Sequence, residues 1–243
     1  AATFSSGSSS NYAISYAAGT LTISQASQAT LSMSSASTVT FGSTLTLTTS
    51  GGSGTGAVTY AVSTAGTAGC SISGTTLSMS GDAGTTCAVT ATKAADTSYL
   101  SATSSAQTIT IGTRSITVTA SSPSIAYGAS VSPSVSVTSG TLSGSDAISG
   151  ATYTYVGTGS TTYASSTTAP TAVGTYSVTP SAATFSPGSS SNYAIQYAAG
   201  TLTISQAAQA TLGFAVTSAT LGGTTSLAIT GGSGSGAVTY ALD

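Results

Sequence analysis

The sequence predicts an all-β chain of tandem β-sandwich domains. Three observations lead there: short runs with an apolar residue at every second position, Gly-rich breaks between them, and an internal repeat of about 181 residues. Residues 1–31 read AATFSSGSSSNYAISYAAGTLTISQASQATL and return at 182–212 with three differences, an offset of 181. The match continues more weakly. GGSGTGAVTYA at 51–61 returns as GGSGSGAVTYA at 231–241, an offset of 180, so one residue has been lost between the two anchors. A period this long exceeds a single solenoid turn and suits a pair of domains of about 90 residues each.

Inside the period two unit types alternate. Type A carries the runs LSMS, TLTLTTS, AVTYAVS, CSIS, TLSMS and CAVTATKA, each placing apolar residues on one face of a half-buried strand. Gly51-Gly52-Ser53-Gly54 and Gly81-Asp82-Ala83-Gly84 separate runs and predict loops, the first a flexible hairpin connection. Type B reads likewise through SITVTA, VSVTS, ATYTYVG, TYSVTPS, YAIQY and TLTIS. No segment carries a 3.6-residue stripe, and several strands per unit at short spacing predict a sandwich. The expected domains are 1–26, the closing part of a B; 27–112, a whole A; 113–207, a whole B; and 208–243, the opening of a second A. Both ends fall inside a domain, and a longer parent protein is expected. The junctions at Ile111-Gly112-Thr113 and Gln206-Ala207-Ala208 lack long Ser/Gly or Pro tracts, which predicts short stiff connections and an extended array.

Composition narrows the function. Only 2% of residues are charged, against about 25% in an ordinary globular protein. About two-fifths of the chain is Ser or Thr, and His, Trp and Glu are absent. The net charge of −2 comes from Asp82, Asp96, Asp146 and Asp243 against Lys93 and Arg114. Two scattered cations cannot neutralise a phosphate backbone, which excludes nucleic acid as a partner, and they give no footing on anionic lipid. No run approaches the roughly 18 apolar residues of a membrane span, so no membrane insertion is expected. The outer strand faces carry Thr and Ser where most proteins place Lys and Glu. Thr keeps the strand propensity, but charge repulsion between neighbouring copies is lost, and strand edges have few basic guards. Either glycans or neighbouring chains cover these edges, or association between copies is itself the expectation. Ser/Thr density permits O-linked glycans, whereas Asn11 and Asn192 are both followed by Tyr-Ala and form no N-glycosylation sequon.

The chemistry of an enzyme is missing from the sequence. A Ser–His–acid triad needs an imidazole, and there is none. Lys93, in TATKAAD, reads as a solvated turn residue with Asp96 three positions on. Asp82, Asp96 and Asp146 are isolated, which argues against paired-carboxylate catalysis and against a clustered calcium site. Two cysteines are too few for zinc, and GGSGTG is followed by no GK[ST]. An isopeptide cross-link would have only Lys93 with Asn11 or Asn192, in different unit types. No catalytic, cofactor or metal residues are therefore expected. Cys70 and Cys87 share one unit on predicted strands. They read as a structural disulfide between two neighbouring strands, which implies an oxidising compartment, the alternative being two buried free thiols.

NYAISYAAGTLTIS, NYAIQYAAGTLTIS, the opening SITVTASSPSIAYGAS and the middle TAVGTYSVTPSAATFSPGSSSNYAI resemble the MBG family, the mostly bacterial Ig-like domains. The resemblance covers 113–206 and 1–24. Residues 27–111 are similar to another bacterial Ig-like repeat, with AGCSISGTTLSMSGDAGTTCAVTATKAADTSYLSATS as the most specific stretch. The resemblance implies an immunoglobulin-like sandwich serving as a spacer in large bacterial surface proteins, adhesins and fibres, with no catalytic residues to transfer. The expected role is a structural repeat of an extracellular filament or cell-surface stalk, with copies of itself as partners. The alternative is an adhesin-type module for carbohydrate or another cell surface, which tyrosines such as Tyr153 and Tyr155 on one strand face could serve; the favoured reading of such tyrosines places them in the core or just under its rim.

Overall fold

The structure is a computed structural model that describes residues 5–215, 218 and 220–241. It is all-β apart from two single 3-10 turns. Two compact units are present: Ala1–Val39 with Ser43–Ile111, and Thr40–Gly42 with Gly112–Asp243.

From Leu31 onward the chain forms β1 (Leu31–Met33), β2 (Thr38–Thr40), β3 (Leu45–Thr46), β4 (Thr49–Gly51), β5 (Val58–Thr64), β6 (Cys70–Ser73), β7 (Thr76–Met79), β8 (Thr86–Lys93), β9 (Ala102–Thr103) and β10 (Gln107–Gly112). One sheet runs β2-β10-β8-β5 with β9 added on β8, a second runs β3-β7-β6, and β1 pairs with β4. The period-2 pattern decides the faces. Along β8 the buried residues are Cys87, Val89 and Ala91; its sheet neighbour β10 buries Ile109 and Ile111, and β7 of the other sheet buries Leu77 and Met79. The run TLTLTTS, which reads as one strand, divides instead. Leu45–Thr46 pairs with β7, whereas Thr49–Gly51 pairs with β1. Buried Leu47 sits at the crossing, its N–H donating to the Thr75 carbonyl at 2.7 Å while Thr48 accepts from Ser34 at 2.9 Å.

The second unit holds β11 (Arg114–Ala120), β12 (Ser124–Ala126), β13 (Val135–Ser139), β14 (Ile148–Gly157), β15 (Gly174–Phe185), β16 (Tyr193–Ala198), β17 (Gly200–Ser205), β18 (Leu212–Phe214) and β19 (Ile229–Gly231). The sheets β13-β11-β16 and β12-β17-β15-β14 face each other, and β18 pairs with β19. The opening strand changes sheet: β11 runs parallel to β16, then β12 runs parallel to β17. Pro123 lies at the change, where a residue without an N–H suits a break in pairing. One core group joins Tyr155, Tyr176, Val178, Leu202 and Ile204, and a second joins Ile116, Val118 and Tyr193. Tyr176, near the start of β15, donates its hydroxyl to the Ala172 carbonyl at 2.7 Å, the corner bond that marks immunoglobulin-like sandwiches.

The missing residue of the repeat has a structural address. Leu31 pairs with Gly51 and Met33 with Thr49; in the second copy Leu212 pairs with Gly231 and Phe214 with Ile229. The offset is therefore 181 on the first strand and 180 on the second, with the register unchanged. The deletion therefore lies between these two paired strands and leaves both intact, as it must, because a one-residue slip within a strand would turn every side chain to the other face.

Candidate functional site

The outer sheet faces are lined with hydroxyls that satisfy one another across the strands. Thr92 of β8 lies 3.0 Å from Thr103 of β9, and Thr119 of β11 lies 2.6 Å from Thr138 of β13. On β14 and β15 the pairs are Thr152 with Ser181 at 2.8 Å and Ser149 with Thr184 at 3.1 Å. Ser34 donates to Thr48 at 2.9 Å. Each such cross-strand pair stabilises a sheet by about 0.2–1 kcal/mol. The result is a polar face without charge, so contact with a like face desolvates no ion.

Three of the charged side chains, Asp96, Asp146 and Arg114, sit at hydrogen-bonded nodes. Asp96 closes the turn after β8, its carboxylate accepting the backbone N–H groups of Thr55 at 2.7 Å, Ser98 at 2.8 Å and Tyr99 at 2.9 Å. The N–H groups of Ser98, Thr55 and Tyr99 hold its pKa below the usual carboxylate range. Asp96 also contributes its carbonyl oxygen, which accepts from the Gln25 side chain. Gln28 accepts from Ser53 N–H at 3.0 Å and donates to the Ala94 carbonyl at 3.2 Å. The loop Gly51–Gly54 is therefore fixed, not the flexible hairpin that its glycines suggest. It joins strands that do not pair with each other, β4 on β1 and β5 on β8. Gly54, with φ of 73°, lies so near the Asp96 carboxylate that a Cβ would collide with it. Gln209 and Ser233 repeat the Gln28–Ser53 bond at 2.6 Å, so the same loop is built twice.

The second node gathers around Tyr193. Its hydroxyl donates to Asp146 at 2.6 Å and accepts from Ser143 N–H at 2.9 Å. Its ring stacks on Phe185 at 5.0 Å and meets Phe41 edge-on at 5.8 Å, both favoured aromatic geometries. Burial, then the bond to Asp146, raises the Tyr193 pKa. Arg114 donates to the Phe41 carbonyl at 2.9 Å and to Thr141 Oγ1 at 3.2 Å. Sequence reasoning treats Asp146 and Arg114 as isolated charges and passes over Phe41. The available signal is that Arg is a single residue and Phe is scarce in this chain.

Cys70 and Cys87 form a disulfide with Cα atoms 6.5 Å apart. Neighbouring strands are expected from the sequence, but the bond joins β6 of one sheet to β8 of the other. Cys87 faces inward on β8, and its own strand neighbour is Ile109, so the sulfur reaches across the core. Tyr153 and Tyr155 lie where the favoured reading of the sequence puts them, in the core and at its rim, and not as the exposed pair of the adhesin alternative. Tyr155 is buried and Tyr153 packs half-buried against the same core group. Lys93 is half-buried at the end of β8. Asp82 accepts from Thr85 through its backbone carbonyl, at 3.1 Å from the N–H and 2.6 Å from the hydroxyl. Among the described residues no three His, Cys, Asp or Glu side chains converge. None of their helices is long and apolar enough to cross a membrane.

Residues 116–203 match the family model described as MBG domain (YGX type). This region holds the sequence Tyr127-Gly128-Ala129 in a turn closed by Ala129 N–H to the Ala126 carbonyl at 3.0 Å, with Gly128 at φ of 88°. No curated protein matches the chain. Among solved structures it is similar to a crystal structure of Drosophila N-cadherin EC1-4, at 12% identity and a TM-score of 0.28, covering 77% of this chain and 53% of that one. The chain spans about half the length of that structure, a likeness too slight to transfer any property.

Proposed function

We propose that this chain is a structural repeat segment of a large extracellular bacterial filament or cell-surface stalk, not an enzyme, and that it associates with copies of itself through its nearly uncharged Ser/Thr faces. The observation that carries this reading is the set of exposed cross-strand hydroxyl pairs, standing where a soluble sandwich usually presents Lys and Glu. The near-exact repeat, the MBG-type region and the disulfide support a spacer role in an oxidising compartment. O-linked glycans on the same faces would shield them and convert a filament-former into an isolated stalk. The adhesin alternative loses its best candidates, since Tyr153 and Tyr155 turn to the core.

Light scattering of the chain across ionic strength tests the reading. Between about 0.01 M and 1 M salt the Debye length falls from roughly 30 Å to 3 Å. Association through hydroxyl faces persists over that range. Dissociation by salt would show that charge pairs hold the assembly, and a strict monomer at high concentration would remove self-association.

A further inference from the structure

The larger sheets of the two units end on comparable outer strands, β5 in β2-β10-β8-β5 and β14 in β12-β17-β15-β14. The two edges are finished differently. The chain after β14 folds back over its edge. Tyr155 exchanges bonds with Ser166, its N–H donating at 2.8 Å and its carbonyl accepting at 3.0 Å, and Gly157 N–H donates to the Tyr163 carbonyl at 2.9 Å. Among the described residues nothing pairs with the outer edge of β5. The phase of the ladder shows which groups lie there. Ala94 N–H donates to the Ala57 carbonyl at 2.8 Å, and opposed residues of an antiparallel pair are bonded alternately. Thr59 with Thr92 and Ala61 with Thr90 are therefore bonded pairs, and the N–H and C=O groups of Val58, Tyr60 and Val62 point outward. No charged side chain stands on β5, where an open edge usually carries Lys or Pro.

We infer that β5 pairs antiparallel with β5 of a second copy of this chain, about a two-fold axis at Tyr60. In that register Val58 faces Val62 of the second copy and Tyr60 faces Tyr60, so every outward N–H and C=O finds its counterpart. The exposed side chains match as well, Thr59 falling opposite Ala61. Half-buried Lys93 lies beside Val58, so the axis sets the two copies of Lys93 at opposite ends of the joined strands and no like charges meet. A second copy is the occupant for two reasons. The uncharged edge is its own complement, and GAVTYA at 56–61 returns at 236–241, so another array of the same repeat offers a matching edge at every period. The inference rests on the self-association reading and adds a strand edge to its hydroxyl faces.

Sedimentation of the full chain and of two double variants at these exposed positions tests the register, with thermal melting of each to verify the fold. Thr59→Lys with Ala61→Lys sets lysine opposite lysine across the junction and is expected to weaken association by about tenfold or more. Thr59→Lys with Ala61→Glu sets lysine opposite glutamate at the same places and is expected to associate within about threefold of the wild type. Equal association of all three chains overturns the edge and leaves the hydroxyl faces standing, whereas a strictly monomeric wild type removes both. Equal loss in the two variants overturns the two-fold register. Hydrogen exchange of the unmodified chain gives a second reading that depends on no substitution. The amides of Val58, Tyr60 and Val62 gain protection as concentration rises, while those of Thr59 and Ala61 are protected throughout. Unprotected amides at 58, 60 and 62 in the assembled chain overturn the inference.

Discussion

Residues 8–24 and 189–205 share nearly one sequence and have two different structures. Each makes the same capped 3-10 turn at Ser-Ser-Asn. Only the second continues into strands, β16 and β17. The turn is written in three or four adjacent residues, because a serine hydroxyl that accepts the N–H two positions on needs no distant partner. A strand needs one. The alternation in YAIQYAAGTLTIS supplies a fit to a pleated, half-buried surface, and that fit counts only when β11, β12 and β15 provide the surface.

The comparison can be broken by mutating one side chain in both contexts. Leu202→Ala removes a fully buried side chain between β12 and β15 and is expected to destabilise the second unit by about 3–5 kcal/mol in chemical denaturation. Leu21→Ala, the same residue of the repeat, is expected to change stability by less than about 0.5 kcal/mol. Equal effects would mean that residue 21 is packed much as residue 202 is.

A smaller effect is expected at the disulfide, whose cysteines lie 17 residues apart and join two sheets. Replacing both by Ser is expected to cost the first unit about 3 kcal/mol in the chain-entropy description and to lower its melting temperature, with the second unit's transition unmoved. A shift in both transitions would couple units that this account treats as separate packing problems.

The smallest effect concerns Asp96, a local device like the serine turn, but one that reaches a loop 41 residues away. Its folded pKa is depressed, so the unfolded chain takes up the proton more readily. The stabilisation is present above the ordinary aspartate pKa of about 3.9 and is lost as pH falls through that value towards the depressed one. Thermal melts of the wild type and Asp96→Asn between neutral pH and about pH 2 are expected to converge at the acid end. Parallel curves would remove the carboxylate from the account.

Much of the fold is legible in the residues, and the reason differs by element. Period-2 runs give β5 through β8 and β13 through β17 directly, because alternation encodes which face is buried. TLTLTTS defeats the same rule. Its pattern is continuous, but the partner changes from β7 to β1 within four residues, and alternation carries no information about partners. The glycines of Gly51–Gly54 announce positive φ without announcing that Asp96 and Gln28 hold the loop. A disulfide between Cys70 and Cys87 follows from their number, but the bridge between sheets requires knowing that β6 and β8 face each other. The cluster of Phe41, Arg114, Asp146 and Tyr193 is the least legible, since its members are scattered over about 150 residues and only long-range packing assembles them.

The most direct measurement is hydrogen exchange on the unmodified chain, read in the two peptides NYAISYAAGTLTIS and NYAIQYAAGTLTIS, which differ in mass at Ser15 and Gln196. Partner-dependent strands predict that amides of 193–205 exchange only through global opening of the second unit, while those of 12–24 exchange at nearly unprotected rates. Equal, strong protection of both peptides would contradict it.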